Sequence, residues 1–327
     1  MKKMNLTIPL AKAALLMILF LIPGYILRRT KVINEQFAFS LSQLLVYVAV
    51  PAMLISSHLR AYDSSAMKSY CVVAGVTLLV VLVFYFLTDL IFPKSIPEEK
   101  RKVLRFGSIF SNTGNMGIPL IIYTLGSEYA LYVQAAVLVF NCTVFSLGRY
   151  LYCGDRKHIS FRGCLINPGT IPGLLGLFLY VTGIGGKIAA AAGNPGTIGF
   201  AAGLFYDAVM GLTDMVAPLT MIIIGVRLAE VDLKDAFTDR GMYLQMFLRL
   251  FVVPSVTALI CMALCKAGVI PREIYALSVI ISSTPCAALT TVMAELYGCD
   301  SVYGSKLVAV STVLSIITMP IVITIFG

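Results

Sequence analysis

Hydrophobic residues run along this chain in blocks of about 20, the length that crosses a bilayer as α-helix. The blocks fall at 8–27, 36–58, 68–92, 103–125, 128–151, 168–184, 203–228, 242–265, 272–296 and 302–326, with short polar joints between them. The sixth is short and interrupted by Asn167-Pro168-Gly169 and Ile171-Pro172-Gly173. The pattern predicts an all-α polytopic membrane protein of ten transmembrane helices, five in residues 1–165 and five in residues 166–327.

The fourth block breaks its own pattern. Asn112-Thr113-Gly114-Asn115-Met116-Gly117-Ile118-Pro119 puts two asparagines, two glycines and a proline into the middle of an apolar span. Pro119 lacks an N–H, and its ring clashes with the carbonyl of Asn115 four residues earlier. Gly114 and Gly117 permit dihedrals that other residues resist. These features predict a helix interrupted at mid-bilayer. Non-helical backbone at that depth survives only where protein or a water-filled cavity covers it, and discontinuous helices mark transporter binding sites.

Composition narrows the class further. Of 327 residues, 59% are hydrophobic and 13% are charged, whereas soluble chains carry about 25% charged residues. The net charge of +9 suggests nucleic acid until the charges are placed, and then topology accounts for them. One set of joints holds Arg28, Arg29 and Lys31, then Lys94 to Arg105, Arg149 to Arg162, and Arg227 to Arg240. The other side holds Lys2, Lys3, Lys12, Arg60, Lys68, Lys187, Lys266 and Arg272. The positive-inside rule then puts both termini outside a cell membrane. The start, Met1-Lys2-Lys3 and an apolar run, has no small-residue cleavage site and is read as the first span. The eight cysteines (Cys71, Cys142, Cys153, Cys164, Cys261, Cys265, Cys286 and Cys299) lack paired metal spacing and read as small packing residues.

The two halves resemble each other. At an offset of 172, Ser111-Asn112-Thr113 falls on Ser283-Thr284-Pro285, Gly126 on Gly298, Glu128 on Asp300 and Gln134 on Lys306; at 167, Val50-Pro51 meets Ala217-Pro218. Five spans per half, an odd number, invert the second half relative to the first. Inverted repeats with matched interrupted helices are an architecture of secondary transporters.

The motif from Asn112 to Pro119 closely resembles the fourth-helix motif of the auxin efflux carrier family, which includes bacterial organic-acid permeases and plant carriers. Tyr47 to Ala52, Ala217-Pro218-Leu219 through Leu228, Ser283-Thr284-Pro285 and Ser311 to Ser315 extend the resemblance over nearly the whole chain. The short joints resemble the compact bacterial members. The resemblance implies helices four and nine crossing at their breaks in a transport domain of helices 3–5 and 8–10. That domain would slide like an elevator against a scaffold of helices 1, 2, 6 and 7, in a homodimer. It also implies an organic anion such as a carboxylate as substrate. Plant carriers place an asparagine at the ninth-helix crossover, whereas this chain has Ser282-Ser283-Thr284 before Pro285, which leaves the identity of the anion open.

Residue chemistry nominates the site. Asn112 and Asn115 offer amide donors, and helix restarts after Gly114 and Thr284 would point N–H groups and positive dipole ends at an anion. Pro119 and Pro285 are expected to hold the breaks, with Thr113, Ser283 and Thr284 completing the pocket; hydroxyls of this kind also commonly bond their own helix backbone. Gln134 and Lys306 lie a turn or more inside their spans, and an ionisable group there is a functional candidate, with snorkelling as its alternative. Arg249 has no evident partner and is expected to snorkel. Pro51 and Pro218 are expected to shape scaffold faces. Asp207 and Asp214, and Asp89, are weaker proton-relay candidates that also suit solvated edges, and His58 and His158 sit at membrane edges.

No catalytic cluster is evident, so no enzyme, cofactor or metal site is expected. The expected partners are a small organic anion and the lipid bilayer, with proton, sodium or no ion coupling, and no nucleic acid. The rival reading is a non-transporting membrane sensor that binds the same ligand at the same breaks.

Overall fold

Among the described residues the chain is helical, and one isolated antiparallel bridge, Ser111 to Cys286, stands in place of any strand. The computed structural model describes residues 7–34, 36–154, 169–192, 194, 196–230 and 239–326. The expected features at Lys2, Lys3, Arg156, Lys157, His158, Arg162, Cys164, Asn167, Pro168 and Lys234, and the boundary at 165/166, lie outside the described residues.

The helices are α1 (Thr7–Arg29), α2 (Phe37–Ser56), α3 (Ser64–Ile91) and α4 (Glu98–Ile109). After a break comes α5, a π-turn over Thr113–Gly117 continued as α-helix over Ile118–Thr124. There follow α6 (Ser127–Cys153), α7 (Thr170–Val181), α8 (Ile184–Ala191), α9 (Thr197–Asp214) and α10 (Val216–Glu230). The last four are α11 (Arg240–Lys266), α12 (Arg272–Ser282), α13 (Leu289–Leu296) and α14 (Ser301–Phe326). Six described helices are long and apolar enough to cross a membrane: α2, α3, α6, Gly199–Glu230, α11 and α14. The pair α7 and α8, bent by 81°, makes a seventh if counted as one.

Local chemistry sets several ends. The Asp63 carboxylate accepts from Ser65 N at 2.8 Å to cap α3, and Asp239 accepts from Gly241 N at 2.7 Å and Met242 N at 3.2 Å to cap α11. Prolines leave a second mark. Pro51, Pro119 and Pro254 each follow a π-turn, over Leu45–Ala49, Thr113–Gly117 and Leu248–Val252. A proline cannot donate to the carbonyl four residues back and crowds it. Widening the preceding turn to i→i+5 bonding relieves that conflict while the helix stays continuous. Pro119 therefore does not hold the break as expected: it lies inside α5, beyond the interruption.

Several helix pairs carry the packing. α1 lies along α10, with Gly24 and Gly225 facing across the contact. A Cβ on Gly24 would stand 2.2 Å from Ile222 O, and one on Gly225 would stand 2.1 Å from Leu21 O. These two residues let the backbones touch. α2 packs on α7 and α9, α3 on α6, α11 on α12, and α13 on α14. Phe106 of α4 packs its ring, tilted, against Phe110 at 4.6 Å and against Tyr152 of α6 at 5.3 Å, fixing the end of α4 just before the break.

Candidate functional site

Two interrupted helices meet at the centre of the fold. α4 stops at Ile109 and α12 at Ser282, and two extended stretches cross antiparallel before α5 and α13 resume. Asn112 N donates to Pro285 O at 2.8 Å, and Ala287 N donates to Phe110 O at 2.9 Å. This reciprocal pair satisfies four backbone groups that would otherwise be orphaned in a buried, non-helical stretch. Across the crossing, Ser111 lies opposite Cys286. The second break is longer, and α13 restarts at Leu289, not directly after Thr284.

Among the described residues, the first-turn N–H groups of Gly114, Asn115, Ala288 and Leu289 have no backbone acceptor. They border a cavity of about 260 Å³ lined by Asn112, Gly114, Asn115, Asn141, Thr220 and the stretch Ala287 to Leu289, with apolar side chains of α2, α6 and α10. No acidic or basic side chain lines it. The side chains of Asn112 and Asn115 have no hydrogen-bond partner among the described residues, and Asn112 is only 4% exposed. The Thr220 hydroxyl is buried and also unpartnered. Buried polar atoms without partners are rare, and each asks for a cause. Among the described residues, the Thr220 hydroxyl is the one buried, unpartnered side-chain atom that belongs to this cavity, and it joins there the free amides of Asn112 and Asn115.

A smaller chamber of about 40 Å³ lies on the opposite face of the crossing and includes Ser111, Thr113, Ser278, Ser282 and Arg249. Arg249 does not snorkel. It is 2% exposed, and it donates from Nε to Thr284 O at 3.1 Å and from Nη2 to Ser282 O at 2.5 Å. A cation at a helix C-terminus suits the macrodipole, and these carbonyls have no intrahelical donors. The π-turn imposed by Pro254 contains Arg249.

The structure gathers some sequence-nominated residues and separates others. Asn112, Gly114 and Asn115 line the large cavity, whereas Thr113 bonds Ser111 Oγ at 2.6 Å and borders the small chamber. Ser283 and Thr284 are fully buried, and their hydroxyls donate to Val279 O at 2.7 Å and Ile281 O at 2.8 Å, away from the cavity. Gln134 donates to Ser57 Oγ at 3.1 Å and Met53 O at 3.4 Å on α2. Lys306 is half-buried on α14 and lines neither chamber. Pro285 sits within the second break and supplies the bridging carbonyl. Pro51 and Pro218 lie near the starts of the α-helical segments Val50–Ser56 and Val216–Glu230.

Asp89 is held by Arg101 and Arg105, each at 2.7 Å, while Asp207 and Asp214 are exposed. His58 follows the end of α2 at Ser56 and is fully buried, with Nδ1 2.8 Å from Leu54 O. Sequence reasoning missed Asn141, Thr220 and the role of Arg249. For Arg249 the signal was present: a charge five residues before a mid-span proline.

A multi-pass helical protein whose two broken helices cross beside a polar-ended cavity is built as a membrane transporter. Residues 9–158 and 156–323 match the family described as membrane transport protein, and the chain belongs to that family, the one that includes the auxin efflux carriers. A similar protein is an uncharacterized transporter of Methanothermobacter thermautotrophicus, 25% identical over 312 residues, covering 91% of this chain and 92% of the relative.

Proposed function

We propose that this transporter moves a small organic anion, a carboxylate, by elevator-type alternating access. One observation carries the reading. Unpaired N–H groups at two helix starts and the orphaned amides of Asn112 and Asn115 converge on a cavity that has no acidic side chain. Donors without acceptors select an anion. Asn112, Gly114 and Asn115 are the proposed contacts, with Asn141 and Thr220 opposite. Ser283 and Thr284 hold the backbone of the second break.

In this reading α1, the bent α7–α8 pair and the two interrupted helices join the six long spans to give ten, in a five-plus-five inverted repeat. Helices α1, α2 and α7 to α10 form the scaffold, the part that would dimerise. Helices α3 to α6 and α11 to α14 form the moving domain. Cavity residues Phe145 and Ile224 lie one turn before Arg149 and Arg227, on the basic side of the protein. At the other end, Gln134 meets Ser57 and Arg60 donates to Glu128 O at 2.7 Å. The conformation is therefore open towards the basic side and closed at the opposite end. With both termini outside a plasma membrane, that open side is the cytoplasm.

The test is flux of labelled mono- and dicarboxylates into liposomes containing the purified protein. Saturable uptake of one acid is the expected result. Binding without flux would favour a sensor over a carrier. Asn112→Ala removes one donor, about 1–1.5 kcal/mol or roughly tenfold in affinity, and should fold normally because Asn112 has no side-chain partner to lose. Unchanged affinity would remove Asn112 from the site.

A further inference from the structure

Arg249 is the one lysine or arginine buried among the described residues, and no carboxylate pairs with it there. Its guanidinium is bonded to Ser282 O and Thr284 O, the carbonyls at the broken end of α12. Unwound carbonyls and half-helix C-terminal ends are the groups that coordinate coupling cations in transporters with broken helices. Here a side chain already occupies them. A fixed positive charge in a low-dielectric interior also repels any second cation that would bind beside it.

The same charge bears on the substrate. Ser111 lines both chambers, so the large cavity and the guanidinium lie on opposite faces of one crossing backbone. The cavity lining contributes no full charge of its own. In the small chamber, the hydroxyls of Thr257, Ser278 and Ser282 already donate to their own helices, at 2.9 Å, 2.8 Å and 2.9 Å. Their protons are thus spent, and the lone pairs they leave in a chamber shared with Arg249 disfavour a second anion there.

We propose that Arg249 is a tethered counter-cation: it takes the place of a coupling metal ion at the crossover and balances a single negative charge on the substrate, so the carrier moves monoanions without sodium. The substrate half of this proposal rests on the transporter reading; the metal-replacement half does not. A dianion would bring one unbalanced charge into a desolvated site, and an uncharged molecule would leave Arg249 unbalanced.

Two measurements test it. The first is thermal unfolding of the detergent-purified protein in chloride salts of sodium, lithium, potassium or N-methylglucamine. The wild type should give one midpoint in all four, and Arg249→Ala, with its carbonyls vacated, should gain a saturable rise in sodium. If Arg249→Ala does not survive purification, Arg249→Lys replaces it and should keep the wild-type insensitivity. The second is liposome flux of a dicarboxylate against its own half-amide, with and without sodium. The half-amide should move about tenfold faster, and sodium should alter neither rate. Saturable sodium dependence in the wild type, or equal flux of dianion and half-amide, would overturn the proposal. If no anion moves at all, the transporter reading fails, while the unfolding series still decides what Arg249 replaces.

Discussion

Gly225→Ala is the sharpest perturbation of the fold. The new methyl would lie 2.1 Å from Leu21 O and 2.9 Å from Tyr25 N, both backbone atoms of α1. A carbon–oxygen contact needs roughly 3.3 Å, so α1 and α10 must part by about an ångström along their contact. Overpacking costs about 1–3 kcal/mol, and a backbone obstacle that no rotamer change relieves belongs at the upper end. Alanine recovers about 1 kcal/mol of helix propensity over glycine, leaving a net loss of about 2 kcal/mol. Gly211→Ala is the matched control, because nothing lies within 4 Å of its Cβ position on α9. It keeps only the propensity gain, so the two variants should differ by about 3 kcal/mol. Thermal unfolding in detergent should rank Gly225→Ala below the wild type and Gly211→Ala at or above it. Because α1 and α10 both belong to the proposed scaffold, flux per folded molecule should change little. Adding Gly24→Ala, which meets Ile222 O at 2.2 Å, should cost less in the double variant than alone, since the helices have already parted. A Gly225→Ala protein that melts with the wild type would refute the close-contact argument.

Other substitutions probe the site and the moving interface. Thr220→Val deletes a buried hydroxyl without a partner, so unfolding should be unchanged or slightly raised while substrate affinity falls about tenfold, read by binding and flux together. Gln134→Leu removes an amide whose Oε1 is buried and unpartnered. Ser57 Oγ keeps its own bond to Met53 O at 2.7 Å, so this conformation should gain stability and transport should slow; faster flux with a lower midpoint would contradict the accounting. Asp89→Asn loses ion pairs to Arg101 and Arg105, but Asp89 is 51% exposed, so the cost should be only about 0.5–1 kcal/mol and should shrink in high salt.

Much of the fold could be read from hydrophobic block length, because lipid forces helix on any spanning backbone. The motif from Asn112 to Pro119 likewise announces trouble in the fourth span. Its position was less legible. Pro119 and Gly114 suggest a break inside the motif, yet the interruption lies at Phe110 to Asn112. The proline conflict was absorbed by a π-turn, an option that sequence pattern does not distinguish from a break. The roles of Ser283 and Thr284 were decided by their own helix carbonyls, the local competition that hydroxyls generally lose in apolar surroundings. Arg249, Asn141 and Thr220 come from three other helices, and only tertiary packing brings them to the crossing.

The register of the crossing explains why the two breaks differ chemically. With Cys286 opposite Ser111, the counterpart of Asn112 is Ala287, and Ala287 carries no amide. The first break therefore supplies side-chain donors where its helix restarts. The second break supplies bare backbone at its restart, and at its broken end carbonyls held by Arg249. The backbone treats the two breaks alike, through the reciprocal bonds between Asn112 and Pro285 and between Ala287 and Phe110. Side-chain chemistry does not. Two half-helices start at one cavity, and under the proposed function the unlike side chains of the two breaks let that cavity orient a ligand with one charged and one apolar end. Val46, Val50, Phe140 and Ile223 give the same cavity an apolar wall, which suits the hydrocarbon body of the proposed carboxylate.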